Sequence, residues 1–116
     1  MFKFEKLSVG QKAIAFSDLM YVQSNAFPAD ERFALTDQIR RAVVSIPSNI
    51  AERSARADTD YAKFVSYATG SLYEVVTQAF IARRRSYLDE KGFTKISSDA
   101  EEIGRMLSGL RDSLRL

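Results

Sequence analysis

The segment from Gln38 to Glu52 constrains the fold most strongly, because it combines helical apolar spacing with an internal proline. Apolar residues recur there at intervals of three and four, as in a helix that faces a core: Leu35, Ile39, Ala42, Ile46 and Ile50. Pro47 lies inside this pattern, where a proline removes a backbone donor and crowds the carbonyl of Val43, at a cost of roughly 3 kcal/mol. We therefore predict a second helix that bends at Pro47 and is held together by packing.

The same segment carries a polar stripe. Its members are Gln38, Arg41, Ser45, Ser48, Asn49 and Glu52. The two serine hydroxyls can bond carbonyls that the proline frees, and the asparagine amide can donate two hydrogen bonds. Two interpretations stay open: the proline only bends the helix around its neighbours, or the bend presents Arg40, Arg41 and Glu52 to a partner. In either case, Glu74 and Gln78 are candidates to meet Arg41.

Size and composition indicate one globular domain over residues 1–116. The chain is 46% hydrophobic and 28% charged, which is the range of ordinary folded proteins. It has no cysteine and no histidine, which excludes disulfide frameworks, thiolate zinc sites and the Glu-x-x-His motifs of di-iron bundles. We therefore expect no metal site and no cofactor.

Charge and hydropathy limit the partners. The net charge of +2 is too small to indicate nucleic-acid binding unless the basic residues cluster. No stretch approaches the roughly 20 consecutive apolar residues of a membrane-spanning helix. The N-terminal residues alternate charged and apolar types, unlike a secretion signal. We expect a cytoplasmic protein that does not span a membrane.

The apolar periodicity predicts four helices. The first runs from about Ser8 to Ser24, the second begins near Ala29, the third begins at Asp58 as N-cap, and the fourth runs from about Glu90 to Arg115. A capping box from Ser98 to Glu101 could start the fourth helix later, but the unbroken apolar seam back to Phe93 argues against that start. Gly70 lies within the apolar pattern of the third helix, where we predict a close contact between helices. Short connections favour an all-α, antiparallel up-down-up-down four-helix bundle.

A run of three arginines, Arg83, Arg84 and Arg85, ends the third helix. One interpretation is favourable interaction with the negative end of the helix dipole, together with solubility. The other is a phosphate-binding surface formed with Arg53 and Arg56, or with copies from neighbouring subunits.

No motif for catalysis is present. The sequence has no phosphate-binding glycine loop, nucleophile elbow or metalloprotease helix. We therefore predict no catalytic residues and a protein that is not an enzyme. An enzymatic alternative would need a deep pocket that gathers Arg41, Glu52, Tyr61 and Glu74.

Several segments together resemble a known family. They are Phe27-Pro28 with Glu31, the segment from Gln38 to Glu52, Gly70-Ser71-Leu72-Tyr73-Glu74, and Arg105-Met106-Leu107. These residues resemble the four helix bundle protein family, which includes proteins encoded in intervening sequences of large-subunit ribosomal RNA genes. The family is related to the accessory variability determinants of diversity-generating retroelements. One departure is Arg53, where the family commonly has glycine, so we predict that the second helix continues further here.

The resemblance implies assembly and partners. It implies a cytosolic homo-oligomer, with a pentamer favoured, and a basic surface that could bind RNA, DNA or a reverse-transcriptase-like protein. The candidate basic residues are Arg40, Arg41, Arg53, Arg56, Arg83, Arg84 and Arg85. The candidate motif or interface residues are Gln38, Arg41, Ser45, Pro47, Ser48, Asn49, Glu52 and Glu74. We predict a non-catalytic oligomeric scaffold. One form that this scaffold could take is a nucleic-acid-associated adaptor. The alternative is a structural homo-oligomeric ring that binds another protein and no nucleic acid.

Overall fold

Four α-helices form the protein. The computed structural model describes residues 2–55 and 58–113, without the side chains of residues 55, 58 and 59. The helices are α1 (Ser8–Ser24), α2 (Leu35–Ala55), α3 (Asp58–Arg84) and α4 (Glu90–Ser113), with short 3-10 turns at Lys3–Lys6 and Ala29–Glu31. The predicted all-α class is confirmed.

Neighbouring helices are antiparallel. Two contacts show this for each pair of helices. They are Ser17 with Val43 and Ser24 with Arg40 between α1 and α2; Ser45 with Ser71 and Arg53 with Tyr61 between α2 and α3; Leu72 with Gly104 and Phe80 with Phe93 between α3 and α4; and Lys12 with Glu102 and Gln23 with Gly92 between α1 and α4. In each pair of contacts, the residue number rises along one helix while it falls along the other. Helix α1 therefore packs between α2 and α4, and α3 closes the bundle opposite α1. This is the predicted up-down-up-down arrangement.

The core consists of the apolar stripes that the periodicity predicts. Large side chains that are fully buried include Phe16, Met20, Ile39, Ile46, Ile50, Val75, Ile96, Ile103 and Leu107. Burying each such side chain stabilises the fold by roughly 1.5–3 kcal/mol. This packing outweighs the local cost of a proline in α2, which stays helical on both sides of Pro47.

The start of α2 differs from the prediction. The α-helix begins at Leu35 and not near Ala29. The preceding residues form a 3-10 turn, in which each N–H donates to the carbonyl three residues earlier. An example is the bond from the Arg32 N–H to the Ala29 carbonyl, at 3.2 Å. Phe33 in this segment is 86% exposed. No apolar face therefore draws the segment onto the core as an α-helix.

The predicted starts of α1, α3 and α4 are confirmed. Helix α4 begins at Glu90, as the apolar seam predicts, and not at the alternative Ser98 capping box. Asp89 explains the early start, because its carboxylate accepts the Gly92 N–H at 2.7 Å as an N-cap. The end predicted at Arg115 and the Asp58 cap side chain lie outside the described residues and side chains.

Two glycine-related predictions have different outcomes. Helix α2 continues through Arg53 to Ala55, and Arg53 has no positive φ, as the departure from the family pattern predicts. Gly70 is not a helix contact: it is exposed, and a Cβ placed on it would meet nothing within 4 Å. The α3 register explains this, because the buried stripe runs through Ala68 and Leu72.

Helix α3 ends in a Schellman motif without glycine. Ser86 adopts a left-handed φ of 64°. Its N–H donates to the Arg83 carbonyl at 3.0 Å, and the Tyr87 N–H donates to the Ala82 carbonyl at 2.8 Å.

None of the helices in the described ranges is long and apolar enough to cross a membrane.

Candidate functional site

The polar stripe of α2 lies along a surface cleft between α2 and α3. The cleft has a volume of about 260 Å³ and is lined by Gln38, Arg41, Ala42, Ser45, Ser71, Glu74 and Gln78. We refer to it as the α2–α3 cleft. It gathers the first half of the predicted polar stripe with two candidates that the sequence placed opposite it.

Hydroxyl groups join the two helices at the floor of the cleft. Ser71 Oγ donates to Ser45 Oγ at 2.9 Å. The Asn49 amide donates to Ser45 Oγ at 3.0 Å and to the Ser45 carbonyl at 2.8 Å. Ser45 thus accepts two hydrogen bonds at its hydroxyl, so its role is to connect the helices and not to bond a carbonyl freed by the proline.

Charged groups at the rim do not pair across the cleft. Arg41 Nε lies 3.0 Å from Asp37 Oδ2, one turn earlier on the same helix, and its side chain is 80% exposed. Glu74 lines the same cleft and is exposed, and it has no ion pair within the described part of the chain. Glu74 and Gln78, the candidates to meet Arg41, thus line the same cleft as Arg41, but the guanidinium is bound to Asp37 on its own helix.

Gln78 has an unmet hydrogen-bonding atom. Its Oε1 is buried and has no donor among the described residues. A buried acceptor without a donor carries a desolvation cost of about 1–3 kcal/mol. The cleft therefore holds two acceptors, the Gln78 amide oxygen and the Glu74 carboxylate, that a partner could satisfy.

The Pro47 turn is supported from two sides. Ser48 Oγ donates to the Val44 carbonyl at 2.9 Å on the exposed side. Ser17 Oγ, from α1, lies 3.3 Å from the Val43 carbonyl, the group that the proline deprives of its helical donor. Sequence reasoning missed Ser17, because nothing local to either residue signals a contact between helices.

Arg40, on α2, forms hydrogen bonds with residues at the end of α1. Its Nε donates to Ser24 Oγ at 2.8 Å, its Nη2 donates to Asn25 Oδ1 at 3.0 Å, and its guanidinium lies 4.8 Å from the ring centre of Tyr21. This candidate nucleic-acid-binding residue is thus engaged within the bundle.

The arginine run at the end of α3 has mixed contacts. Arg83 donates to the Leu88 carbonyl at 3.1 Å. Arg85 donates to Tyr87 Oη at 3.0 Å, and Tyr87 donates to Glu31 at 2.9 Å, which links the α3–α4 turn to the α1–α2 connection. The hydrogen bond with Tyr87 raises the pKa of Arg85. Arg84 is exposed and has no such contact in the described part of the chain.

The six candidate arginines in the described part of the chain do not share one surface. Arg53 lies about 18 Å along α2 from Arg41, toward the opposite end of the bundle from Arg84. There its guanidinium stacks on the Tyr61 ring at 4.5 Å, and its buried Nε has no hydrogen-bond partner among the described residues. Arg56 lies outside the described residues.

The enzymatic alternative required one pocket for four residues. Arg41 and Glu74 line the α2–α3 cleft, whereas Tyr61 and Glu52 do not. Glu52 is exposed near the end of α2. Within residues 2–55 and 58–113, no group of three or more acidic residues could hold a metal ion.

A second charged site joins α1 to α4. Lys12 Nζ lies 2.9 Å from Glu102 Oε1, beside a cleft of about 230 Å³. The hydrogen bond from Lys12 lowers the pKa of Glu102, and the same bond raises the pKa of Lys12. Sequence reasoning missed this pair, because the two residues are far apart in the chain and each looks like part of a solvated helix face.

The comparisons with known proteins identify the family. The sequence profile described as 23S rRNA-intervening sequence protein matches residues 5–109. The chain belongs to this family. The 23S rRNA-intervening sequence protein family is the one that the segment around Pro47 indicated. None of the curated proteins searched matches the chain.

A solved structure supports the same fold. It is the crystal structure of a protein of unknown function from the S23 ribosomal protein family of Bacteroides thetaiotaomicron. The match has a TM-score of 0.81 and 21% sequence identity, and it covers 90% of this chain and 95% of that one. At this identity the similarity concerns the bundle fold alone.

Proposed function

We propose that this protein is a non-catalytic, cytoplasmic scaffold that assembles into a homo-oligomeric ring, with a pentamer favoured. The observation that carries the proposal is the band of large apolar side chains on the exposed surface of α3. Tyr67, Tyr73, Phe80 and Ile81 are 50%, 68%, 54% and 45% exposed. Single exposed apolar residues are ordinary, but a series along one helix is typical of an interaction surface.

The chemistry of the α2–α3 cleft favours binding over catalysis. Its lining consists of amides, hydroxyls, one arginine and one carboxylate, and it offers no nucleophile joined to a base. Hydrogen-bonding groups of this kind can fix the relative position of two proteins in an interface.

Sedimentation velocity over a range of protein concentrations tests the proposal. We expect the wild type to sediment as an oligomer, and Arg41→Ala to shift the distribution toward smaller species if the polar stripe belongs to the interface. A wild type that remains a monomer at every concentration would overturn the proposed function. An oligomer that Arg41→Ala leaves unchanged would place the interface away from the stripe.

A nucleic-acid-associated adaptor is the second candidate. It is favoured by Arg83, Arg84 and Arg85, which lie together at one end of the bundle, and by the family description, which refers to 23S rRNA. Acidic groups at the same end, including Glu31, reduce the local positive charge. The scaffold therefore has the stronger support.

A further inference from the structure

Two hydrogen-bond acceptors in the α2–α3 cleft have no donor or cation bound to them among the described residues. Another copy of the chain could supply one. Gln78 Oε1 is buried without a donor, and the Glu74 carboxylate has no ion pair in the described ranges. Arg41, the cation in the lining of the cleft, is bound to Asp37. A group that enters the cleft would therefore be a hydrogen-bond donor with a positive charge.

The size of the cleft limits the occupant. Sites for drug-sized ligands and cofactors usually have volumes of roughly 300–1,000 Å³. The α2–α3 cleft, at about 260 Å³ and open to the surface, is better suited to one long side chain. A guanidinium fits the chemistry, because it has five donors in a planar fork and can bind a carboxylate and an amide oxygen together.

Arg105 is an arginine of this chain that could supply such a group. It is exposed on α4, and it has no hydrogen bond or ion pair in the described part of the chain. Glu102, three residues earlier, is bound to Lys12, which lowers its pKa, and the nearby charge of Arg105 adds to that effect. Arg105 lies on a different side of the bundle from the cleft, since α4 packs against α1 and α3 and not against α2.

Arg105 also lies at the height of the cleft along the bundle. Leu72 lies against Gly104, and Ser71, beside Leu72, bonds to Ser45 on the cleft floor. Glu74 is two residues from Leu72, so Arg105 and Glu74 differ in height by about one helical turn or less. A contact between two different surfaces at the same height can be repeated by rotation alone, which produces a closed ring.

We propose that Arg105 of one copy inserts into the α2–α3 cleft of the next copy and binds Glu74 and Gln78. The proposal rests on the ring proposed above and specifies its contact. The contact is head-to-tail, as a ring with an odd number of subunits requires, because a self-complementary patch would produce dimers.

Two exposed glycines support a close approach at these surfaces. Gly70 lies one turn before Glu74 on α3, and Gly109 lies one turn after Arg105 on α4. A Cβ on either glycine would meet nothing within 4 Å. Glycine in an exposed helix interior is destabilising relative to alanine, so packing within the chain gives no reason for either one. If another copy packs against these surfaces, the absence of a side chain at both positions would let the two backbones approach closely.

Charge reversal tests the contact. We expect Arg105→Glu and Glu74→Arg each to weaken assembly by at least about tenfold in sedimentation velocity, because each places like charges together. The double variant Arg105→Glu/Glu74→Arg should recover part of the assembly, because it restores the opposite charges but supplies no donor to Gln78 Oε1. Arg111→Glu is the matched control, since Arg111 is on the same helix and, among the described residues, pairs with the adjacent Asp112 at 3.5 Å. Circular dichroism of each variant would establish that the bundle is folded.

The outcomes separate this contact from the ring itself. If the wild type is a monomer, the proposed function fails and the contact fails with it. If the wild type assembles and folded Arg105→Glu assembles equally well, the ring stands and the Arg105 contact is wrong. If both single variants dissociate but the double variant does not recover, the two residues act separately and the proposed pairing is overturned.

Discussion

Ser17 Oγ, on α1, lies 3.3 Å from the carbonyl oxygen of Val43 on α2. Pro47 has no N–H, so the Val43 carbonyl lacks the donor that a helix would normally supply. Val43 is fully buried, which leaves little water to replace that donor. The neighbouring helix thus supports the proline-containing turn. The same hydroxyl lies 3.0 Å from the Ala13 carbonyl, so its single hydrogen is shared between the two carbonyls.

We predict that Ser17→Ala lowers the free energy of unfolding by about 1–3 kcal/mol, because it leaves a buried carbonyl without a donor. Urea denaturation measures the loss. Ser48→Ala is the matched control and should cost less than about 0.5 kcal/mol, since its exposed hydroxyl bonds a carbonyl that water can reach. In a Pro47→Ala background, which restores the helical donor, Ser17→Ala should cost less than it does in the wild type. An equal cost in both backgrounds would contradict this account.

Replacement of Ser86 by glycine should stabilise the protein. Ser86 has a φ of 64°, a conformation that costs an L-residue roughly 1–2 kcal/mol and that glycine adopts freely. After the greater chain entropy of unfolded glycine is included, we expect a net gain of about 0.5–1 kcal/mol in thermal or urea denaturation. Ser98→Gly, in the exposed interior of α4, should instead destabilise the protein by about 0.5–1 kcal/mol. A loss of stability in Ser86→Gly would show that the serine side chain has a role of its own.

The bond between Lys12 and Glu102 predicts a pH dependence. The pKa of Glu102 is lowered in the folded protein, so its contribution to stability is present above the ordinary carboxyl value of 4.5 and is lost as the pH falls through the lowered value. The pKa of Lys12 is raised, so its contribution is present below 10.5 and is lost as the pH rises through the raised value.

Unfolding measured from neutral to acidic pH would check the Glu102 effect. We expect Glu102→Gln to lose less stability on acidification than the wild type, whereas Glu101→Gln should follow the wild-type curve. Because the pair lies at the surface, added salt should reduce the difference. Parallel curves for wild type and Glu102→Gln would contradict the assignment.

The distribution of arginines predicts where any nucleic-acid affinity resides. In fluorescence anisotropy with structured RNA and single-stranded DNA, we expect Arg84→Ala to weaken binding, because this exposed guanidinium has no contact in the described part of the chain. Arg53→Ala should change the affinity less, since its side chain stacks on Tyr61 at the opposite end of the bundle. Affinity should fall as salt rises. No binding, or binding without salt dependence, would remove the adaptor candidate.

The sequence by itself determined the helices and their buried faces. The stripe from Leu35 to Ile50 could be recognised because helical periodicity is a local property, expressed within a few turns of chain. The start of α2 was predicted too early for a related reason: Asp30 and Glu31 carry the charges of a helix start, but Phe33 faces solvent and gives the segment no core to join.

Tertiary structure alone decided what the polar residues do. Glu74 was a candidate to meet Arg41, and the two residues line one cleft, but the structure binds Arg41 to Asp37 and leaves the Glu74 carboxylate without an ion pair among the described residues. Ser17 supports the Pro47 turn from another helix, through a distance of 26 residues in the chain. Such contacts depend on which helix faces which and at what height, and these relationships are fixed by packing of the whole bundle, not by any segment of it.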